Sequence, residues 1–227
     1  MEAVILAGGL GTRIRSLFPN HQKVMLEVNE KPFLYYLINN LKRNNFKRVI
    51  LSVGFMKDSV KNYFGHDFNG LSIDYSEESS PLGTGGAIKK SLEICKEEKV
   101  FIFNGDTFLN LGSSDFNQIQ NFAEEMIIVG KKIPTNDRYG SIFLDKNNLI
   151  CKFSEKEVLK NSIVNTGCYF LTKKLFQGYT KNNFSFEKEF IPDFIKDHLV
   201  KCWVTKSDFL DIGIPDDFFK ASNFLRT

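Results

Sequence analysis

The residues best suited to chemistry follow directly after an apolar run at the start of the chain. Residues 3–6 (AVIL) predict a buried first strand, and residues 8–15 (GGLGTRIR) then supply three glycines and two arginines. Glycine lets the backbone adopt positive φ and lets a ligand approach closely. The exposed N–H groups of such a loop bind anions, and arginine adds fixed positive charge. The stretch therefore predicts a triphosphate-binding loop, with a glycine-rich turn as the alternative.

This loop is neither of the two common nucleotide-binding motifs. The chain contains no G-x-x-x-x-G-K-[ST] sequence, which excludes a P-loop. In the dinucleotide fingerprint a third glycine would stand where the chain has Ile14. A second glycine cluster, residues 81–86 (PLGTGG), leads into a predicted helix and offers another phosphate-type loop.

Two aspartates follow predicted strands and are candidate metal ligands. Asp106 comes after the buried run 100–103 (VFIF) and directly after Gly105, which allows a ligand to approach. Asp211 lies between apolar residues and is followed by a glycine and a proline-started helix. Carboxylate and phosphate oxygens together suit Mg²⁺. The alternatives are a cap at Asp106 and a helix cap or a buried pair at Asp211.

Alternating strands and helices must position these residues. Over residues 1–110 the alternation predicts parallel strands, and ligands bind outside the carboxyl ends of such strands. Residues 139–144 and 149–153 flank a predicted hairpin turn. No linker or repeat interrupts the chain. The prediction is one α/β domain over residues 1–227, with a mixed, mainly parallel central sheet flanked by helices; residues 1–110 would bind nucleotide and residues 111–227 the second substrate.

Three further segments have definite expectations. Residues 23–28 are predicted to be extended, with Lys23 pointing back toward the phosphate loop. Apolar spacing predicts a helix that starts at Pro32 and runs through residue 41. Another helix is predicted over residues 187–198.

Composition restricts the class of protein. Of the 227 residues 42% are hydrophobic and 25% charged, which is typical of a globular domain with a full core. The net charge of +3, without a basic block, gives no sign of nucleic-acid binding. The four cysteines form no C-x-x-C pair, and no apolar run approaches the ~20 residues that span a membrane. With no secretory signal at the start, we expect a cytoplasmic protein.

No nucleophile–base pair is visible in the sequence. The three histidines lie outside the glycine loops and show no pairing with a serine or cysteine nucleophile. Phosphoryl or nucleotidyl transfer needs little from acids and bases, because positioning and electrostatic stabilisation carry it. The candidate residues fit that demand.

Taken together, these motifs resemble those of the sugar-1-phosphate nucleotidyltransferases. Residues 6–13 are similar to that family's N-terminal signature, Lys23 to its signature lysine, and residues 81–87 to its base-recognition loop. The family usually has Pro-Lys-Pro where this chain has Gln22-Lys23-Val24. The resemblance runs nearly end to end. It implies a single Rossmann-like nucleotidyltransferase domain without the C-terminal extension that some members carry.

The resemblance also implies roles for individual residues. The implied catalytic residues are Arg13, Lys23 and Asp106, and the implied ligands of Mg²⁺ are Asp106 and Asp211. The implied nucleotide-binding residues are Leu6, Ala7, Gly8, Gly9, Gly11, Thr12 and Gly83. The implied sugar-phosphate-binding residues are Gly140, Glu155, Lys156, Asn165 and Glu187. Composition alone would describe Glu155, Lys156 and Glu187 as solvated charges.

Within the family the chain is especially similar to the D-glycero-α-D-manno-heptose 1-phosphate guanylyltransferases. That likeness implies guanylyl transfer from GTP to the heptose 1-phosphate, giving GDP-heptose and pyrophosphate for capsule or surface-layer sugars. One alternative is the same chemistry with another pair, such as GTP with mannose 1-phosphate or CTP or dTTP with glucose 1-phosphate. The other is a non-catalytic nucleotide-sugar sensor. The expected partners are a nucleoside triphosphate and a sugar 1-phosphate, with no nucleic acid and no membrane, and the likeness allows a homodimer.

Overall fold

The computed structural model describes residues 1–9, 18, 21–136, 138–154 and 159–225. Its strands are β1 Glu2–Leu6, β2 Glu27–Val28, β3 Lys31–Pro32, β4 Arg48–Val53, β5 Asp67–Phe68, β6 Leu71–Glu77, β7 Lys99–Asn104, β8 Thr107–Leu109, β9 Met126–Asn136, β10 Ser141–Leu144, β11 Ile150–Ser154, β12 Leu159–Thr172, β13 Val200–Thr205 and β14 Phe209–Asp211. Its α-helices are α1 Phe33–Arg43, α2 Lys57–Phe64, α3 Gly83–Ile94, α4 Ser113–Gln120, α5 Ile191–Phe194 and α6 Pro215–Phe224.

A ten-stranded sheet runs through the described part of the chain. Strands β6, β4, β1 and β7 are parallel neighbours in that order. Strand β12 pairs antiparallel with β7, and β9 and β10 both pair antiparallel with β12. Strand β13 runs parallel to β9. The predicted mixed sheet is confirmed: four parallel neighbours come from the part of the chain that precedes residue 110, and β13 and β9 form a further parallel pair after it.

Side chains of the central strands are buried on both faces of the sheet. Ala3 and Ile5 of β1 lie in the same apolar cluster as side chains of α1, α2 and α4. Val4 points to the opposite face and lies in a second cluster with side chains of α3 and α5. Burial on both faces explains why these strands read as uninterrupted apolar runs rather than as alternating patterns.

The prediction of an extended segment over residues 23–28 is wrong in its first half. Lys23–Met25 form a 3₁₀ turn, and only Glu27–Val28 form a strand. The side-chain amide of Gln22 donates a hydrogen bond to the backbone carbonyl of Ala7 and so ties the turn to the end of β1. This bond joins residues far apart in the chain, and local apolar spacing contains no information about it.

The helix predicted over residues 187–198 is interrupted. Phe186–Phe190 form a π-helical turn, and the α-helix is confined to Ile191–Phe194. Pro192 is the second residue of this α-helix, and because it has no N–H to donate and its ring crowds the carbonyl four residues earlier, the turn before it is not a regular α-helix. The wider π turn accommodates this break.

The remaining local expectations divide into confirmed and missed elements. The helix after Pro32 and the hairpin of β10 and β11 are confirmed. The sequence analysis missed α4, which buries only Phe116 and Ile119, and it missed the two-stranded sheet of β8 and β14. None of the helices in the described ranges is long and apolar enough to cross a membrane.

Gly85 is a tightly packed position on α3 and allows a stability test. A Cβ atom there would lie inside van der Waals contact with the ring of Phe184, which is buried. We expect Gly85→Ala to lower the free energy of unfolding by about 1–3 kcal/mol in urea denaturation, because overpacking strains a core. Gly112→Ala is the matched control, since its Cβ would meet only open space and one side-chain atom at 3.9 Å. Equal stability of the two variants would contradict this view of the packing.

Candidate active site

A cavity of about 670 Å³ opens at the carboxyl ends of the parallel strands β1, β6 and β7. This is the edge at which ligands bind in open parallel sheets. The lining residues come from the first glycine loop, the 3₁₀ turn, the ends of β6 and β7, and the start of α3. They are Leu6, Gly8, Gly9, Lys23, Val24, Gly54, Phe55, Glu78, Ser79, Ser80, Pro81, Gly83, Thr84, Ala87, Asn104, Gly105, Asp106 and Gly213.

The first glycine loop contributes its beginning to this cavity. Leu6, Gly8 and Gly9 line the wall, and buried Ala7 donates its N–H to the carbonyl of Ser52 at 2.8 Å. A Cβ on Gly8 would crowd the Glu78 carboxylate at 3.0 Å, so the backbone passes close to a charged wall. Three of the predicted nucleotide-binding or catalytic residues lie outside the described ranges. They are Gly11, Thr12 and Arg13.

Lys23 and Asp106 form an ion pair on the lining of the cavity. The Lys23 ammonium lies 2.6 Å from Asp106 Oδ2. Asp106 follows the end of β7 through Gly105, whose N–H donates to the carbonyl of Leu6 at 3.0 Å. A Cβ on Gly105 would clash with that same carbonyl oxygen. The glycine therefore permits the close approach that brings Asp106 to the end of β1.

The two predicted metal ligands are brought together by the small sheet of β8 and β14. Asp211 lies opposite Thr107 in the register of this sheet, and Ile212 N–H donates to the carbonyl of Asp106 at 3.0 Å. Asp211 Oδ1 accepts the N–H of Gly213 at 2.5 Å. Burial raises the pKa of the Asp211 carboxyl above its ordinary value, and the negative charge of Asp106 raises that pKa further.

Arg138 is a charged group at this edge that sequence reasoning missed. Its guanidinium donates to Asp211 Oδ2 at 3.3 Å and also to Asp217. The Asp217 carboxylate raises the pKa of Arg138, while burial acts in the opposite direction. Nothing in the local sequence around Arg138 distinguishes it from an exposed loop arginine, because both of its partners come from the end of the chain.

The second glycine loop forms the opposite wall. Gly83 has φ +69° and begins α3, and a Cβ there would clash with the backbone oxygen of Phe184. Glu78, just after β6, lines the same wall and was also missed. Its Oε2 accepts the N–H of Leu82 at 3.1 Å, and its Oε1 accepts the Ser52 hydroxyl at 3.2 Å. The sequence signal that could have identified Glu78 is an acidic residue between a strand and the second glycine loop.

The predicted sugar-binding residues that the structure describes, Gly140, Asn165 and Glu187, lie outside the lining of this cavity. Thr84, on the cavity wall, donates its hydroxyl to Glu187 Oε2 at 2.5 Å. Gly140 and Asn165 are neighbours, because Asn165 N–H donates to the Gly140 carbonyl at 2.9 Å. Glu155 and Lys156 lie outside the described residues.

The chain belongs to the nucleotidyl transferase family, whose model matches residues 2–227. The D-glycero-alpha-D-manno-heptose 1-phosphate guanylyltransferase of Campylobacter jejuni is 38% identical over 220 residues, which cover 96% of this chain and 97% of the relative. The enzyme of the same name from Aneurinibacillus thermoaerophilus is 37% identical over 228 residues, covering 100% and 99%. The crystal structure of HddC from Yersinia pseudotuberculosis complexed with GMP-PN has a TM-score of 0.89, 36% identity and 99% coverage of each chain.

These matches confirm the predicted class, a sugar-1-phosphate nucleotidyltransferase, and the predicted fold. Enzymes of this family generally use a divalent metal ion. Among the described residues no group of three or more His, Cys, Asp or Glu side chains converges on one point. Asp106 lines the cavity and Asp211 lies next to it, and the roles of individual residues stay predictions.

Proposed function

We propose that this chain transfers the guanylyl group of GTP to D-glycero-α-D-manno-heptose 1-phosphate, with Mg²⁺ as cofactor. Two relatives of matching length are named for that activity, and the HddC structure is a complex with GMP-PN. The observation in this chain that carries the choice of base is the carboxylate of Glu78 on the cavity wall.

A carboxylate at this place suits guanine among the common bases. Guanine presents two adjacent donors, N1–H and the 2-amino group, and a carboxylate presents two acceptor oxygens. Each oxygen of Glu78 already accepts one hydrogen bond, from Ser52 or Leu82. Because an ionised carboxylate has about four acceptor positions, it retains room for both donors of the base.

The reaction needs the residues to bind and orient two substrates. A sugar phosphate has a second pKa near ~6 and is a dianion at neutral pH, so no general base is required. One of its oxygens bonds to the α-phosphorus of GTP, the bond from that phosphorus to the bridging oxygen breaks, and pyrophosphate leaves. Lys23 and Arg13 would hold the negative charge of the pyrophosphate, and Lys156 would orient the sugar phosphate.

Asp106 and Asp211 have the chemistry of a Mg²⁺ site. Burial raises the pKa of the Asp211 carboxyl, and the nearby negative charge of Asp106 raises that pKa further. The Lys23 ammonium on Asp106 offsets part of that repulsion, and a divalent cation would offset more. When bound, Mg²⁺ would neutralise charge on the α-phosphate. Phosphate oxygens and water would supply its other ligands.

Two alternatives keep the fold and change the activity. A different nucleotide and sugar pair would use the same Lys23, Asp106 and Asp211. A non-catalytic sensor would have no need for these three groups at one edge of the cavity, and their arrangement favours an enzyme. The proposal places the reaction in the cytoplasm, where GTP is available. The predicted homodimer and the division of the chain at residue 110 stay predictions.

Pyrophosphate release tests the proposal directly. Each of GTP, CTP, ATP, UTP and dTTP is paired with the heptose 1-phosphate and with common hexose 1-phosphates in the presence of Mg²⁺. We expect turnover with GTP and the heptose phosphate. Turnover confined to another pair would refute the proposed substrates, and nucleotide binding without turnover in any pair would favour the sensor.

The variant Glu78→Gln tests whether Glu78 recognises the guanine base. We expect the wild type to prefer GTP over inosine triphosphate, which lacks the 2-amino group, by about 10- to 100-fold in kcat/KM, because a hydrogen bond to a charged group is lost. In the variant this preference should fall by about tenfold, because an amide accepts more weakly than a carboxylate.

Glu77→Gln is the matched control for this variant. Glu77 is the adjacent acid on β6, and it pairs with Lys57 and Lys61 at the surface. Its substitution should leave the ratio of the two nucleotides unchanged. An unchanged ratio in Glu78→Gln as well would remove Glu78 from base recognition.

A further inference from the structure

A line of four side chains connects the nucleotide cavity to the sugar-binding half. The Thr84 hydroxyl on the cavity wall donates to Glu187 Oε2 at 2.5 Å. The Tyr169 hydroxyl lies 3.2 Å from Glu187 Oε1, and Asn165 Nδ2 lies 2.7 Å from the Tyr169 hydroxyl. We call Thr84, Glu187, Tyr169 and Asn165 the Tyr169 relay.

The direction of each hydrogen bond in the relay follows from the chemistry of its members. The amide nitrogen of Asn165 can only donate, so the Tyr169 oxygen accepts from it. The phenol proton of Tyr169 is then available to Glu187, whose carboxylate only accepts. At the other end the Thr84 oxygen accepts the N–H of Phe186 at 2.9 Å, so its proton also goes to Glu187. Burial and the charge of Glu187 hold the pKa of Tyr169 well above its usual range, so the phenol stays protonated.

Packing holds the centre of the relay in one place. Tyr169 is fully buried on β12, and its ring meets the ring of Phe186 edge to face at a centroid distance of 5.0 Å. The backbone of β12 just before Tyr169 is irregular, because its register with β9 shifts between Asn165 and Cys168. Bulges of this kind re-aim side chains next to functional sites.

Asn165 lies at this bulge, close to the nucleotide cavity. Its Oδ1 accepts the N–H of Gly167 at 3.0 Å, which fixes the turn. Gly167 has φ +72°, and a Cβ there would crowd the side chain of Asn104, a cavity-lining residue. The polar ends of Asn165 and Glu187 therefore both lie beside the cavity, and the Tyr169 hydroxyl is the group that joins them.

We propose that the Tyr169 hydroxyl is a positioning group that holds Asn165 and Glu187 at a fixed separation for the sugar 1-phosphate. This inference rests on the proposed function and on the sugar-phosphate-binding roles that the family resemblance implies for those two residues. Tyr169 itself is buried behind them and acts through both. Thr84 extends the same support to the nucleotide wall, so the two substrate sites share one set of hydrogen bonds.

Tyr169→Phe removes the hydroxyl and keeps the ring. We expect KM for the sugar 1-phosphate to rise about tenfold, because each partner loses a buried hydrogen bond and gains freedom to turn. The KM for GTP and the dissociation constant of GTP from calorimetry should stay within about twofold, since no relay member but Thr84 lines the nucleotide cavity. The kcat at saturating sugar phosphate should change little.

Tyr179→Phe is the matched control. The Tyr179 ring packs against the rings of Phe184 and Phe190, in the apolar cluster that also contains Tyr169, and its hydroxyl makes no hydrogen bond to any residue that the structure describes. It should leave both KM values unchanged. Thr84→Val is the second variant if Tyr169→Phe does not fold, and it should also raise KM for the sugar phosphate. Combined with Tyr169→Phe, its effect should be less than the product of the two, because both act on Glu187.

The outcomes separate this inference from the proposed function. An active wild type whose KM for the sugar phosphate is unaffected by Tyr169→Phe would overturn the relay alone. Equal increases in both KM values with a lower melting temperature would also overturn it, because they indicate general loosening. A wild type that uses a different sugar phosphate, with a selective KM increase in Tyr169→Phe, would overturn the proposed sugar and support the relay. A wild type inactive with every pair would overturn both.

Discussion

Replacement of Asp106 by asparagine is expected to lower kcat/KM by about 10³-fold while the chain stays folded. Asp106 follows the end of β7 on the cavity lining, with the Lys23 ammonium on its Oδ2 at 2.6 Å, and the Asp211 carboxylate lies nearby. Asparagine keeps the shape and removes the charge that would bind a divalent cation. Loss of one preorganised electrostatic group costs about 10²–10³ in rate, and loss of a bound metal ion costs more.

Pyrophosphate release and circular dichroism together measure this effect. Asp197→Asn is the control, because Asp197 is exposed and distant from the cavity-lining residues in the sequence. It should leave turnover and folding unchanged. Near-normal turnover of Asp106→Asn at the same Mg²⁺ concentration would exclude the metal role of this residue.

Replacement of Asp211 by asparagine is expected to lower activity by about 10²–10³-fold and to stabilise the metal-free protein. The carboxylate of Asp211 is buried at the same edge as Asp106, so its ionisation costs free energy in the folded chain. Asparagine removes that cost and leaves Arg138 its second partner, Asp217. Residues that serve function at the expense of stability behave in this way.

Thermal unfolding with and without Mg²⁺ and GTP measures this second prediction. Because the pKa of folded Asp211 lies above the ordinary value of 3.8, the unfolded chain loses its proton first as pH rises. The wild type in chelator should therefore lose stability relative to Asp211→Asn as pH rises from 3.8 through the folded pKa, and not beyond. Mg²⁺ with GTP should raise the melting temperature of the wild type much more than that of the variant. If Asp211→Asn were less stable than the wild type at neutral pH in chelator, the ionised Asp211 carboxylate would not be destabilising, and this prediction would be wrong.

The sequence alone predicted the parts of the fold that depend on local patterns. The strand at residues 3–6 follows from an uninterrupted apolar run, because both of its faces are buried. The helix after Pro32 follows from apolar residues at helical spacing, because one of its faces is buried. The helix predicted over residues 187–198 is partly right: the segment is π-helical up to Phe190, because Pro192 has no N–H to donate, and the α-helix ends at Phe194.

The candidate site shows the same division. The glycine loops were predicted from the sequence, because clustered glycines after a strand let a ligand approach the backbone closely. Asp106 was predicted because the ends of parallel strands meet at one edge of the sheet, where ligands bind. Glu78 and Arg138 were missed, because each looks like an ordinary surface charge until its neighbours are known.

The sequence by itself determined the central strands and the position of the first glycine loop after β1, since these depend on residue types at short spacing, and the resemblance of its motifs to a known family indicated the class of chemistry. Only the tertiary structure decided that Asp211 lies beside Asp106, because pairing of β8 with β14 joins segments distant in the chain. Only the tertiary structure placed Tyr169 between Asn165 and Glu187. Those contacts depend on how a bulged strand and a π turn pack together, and no periodicity in the sequence predicts the distances between their side chains.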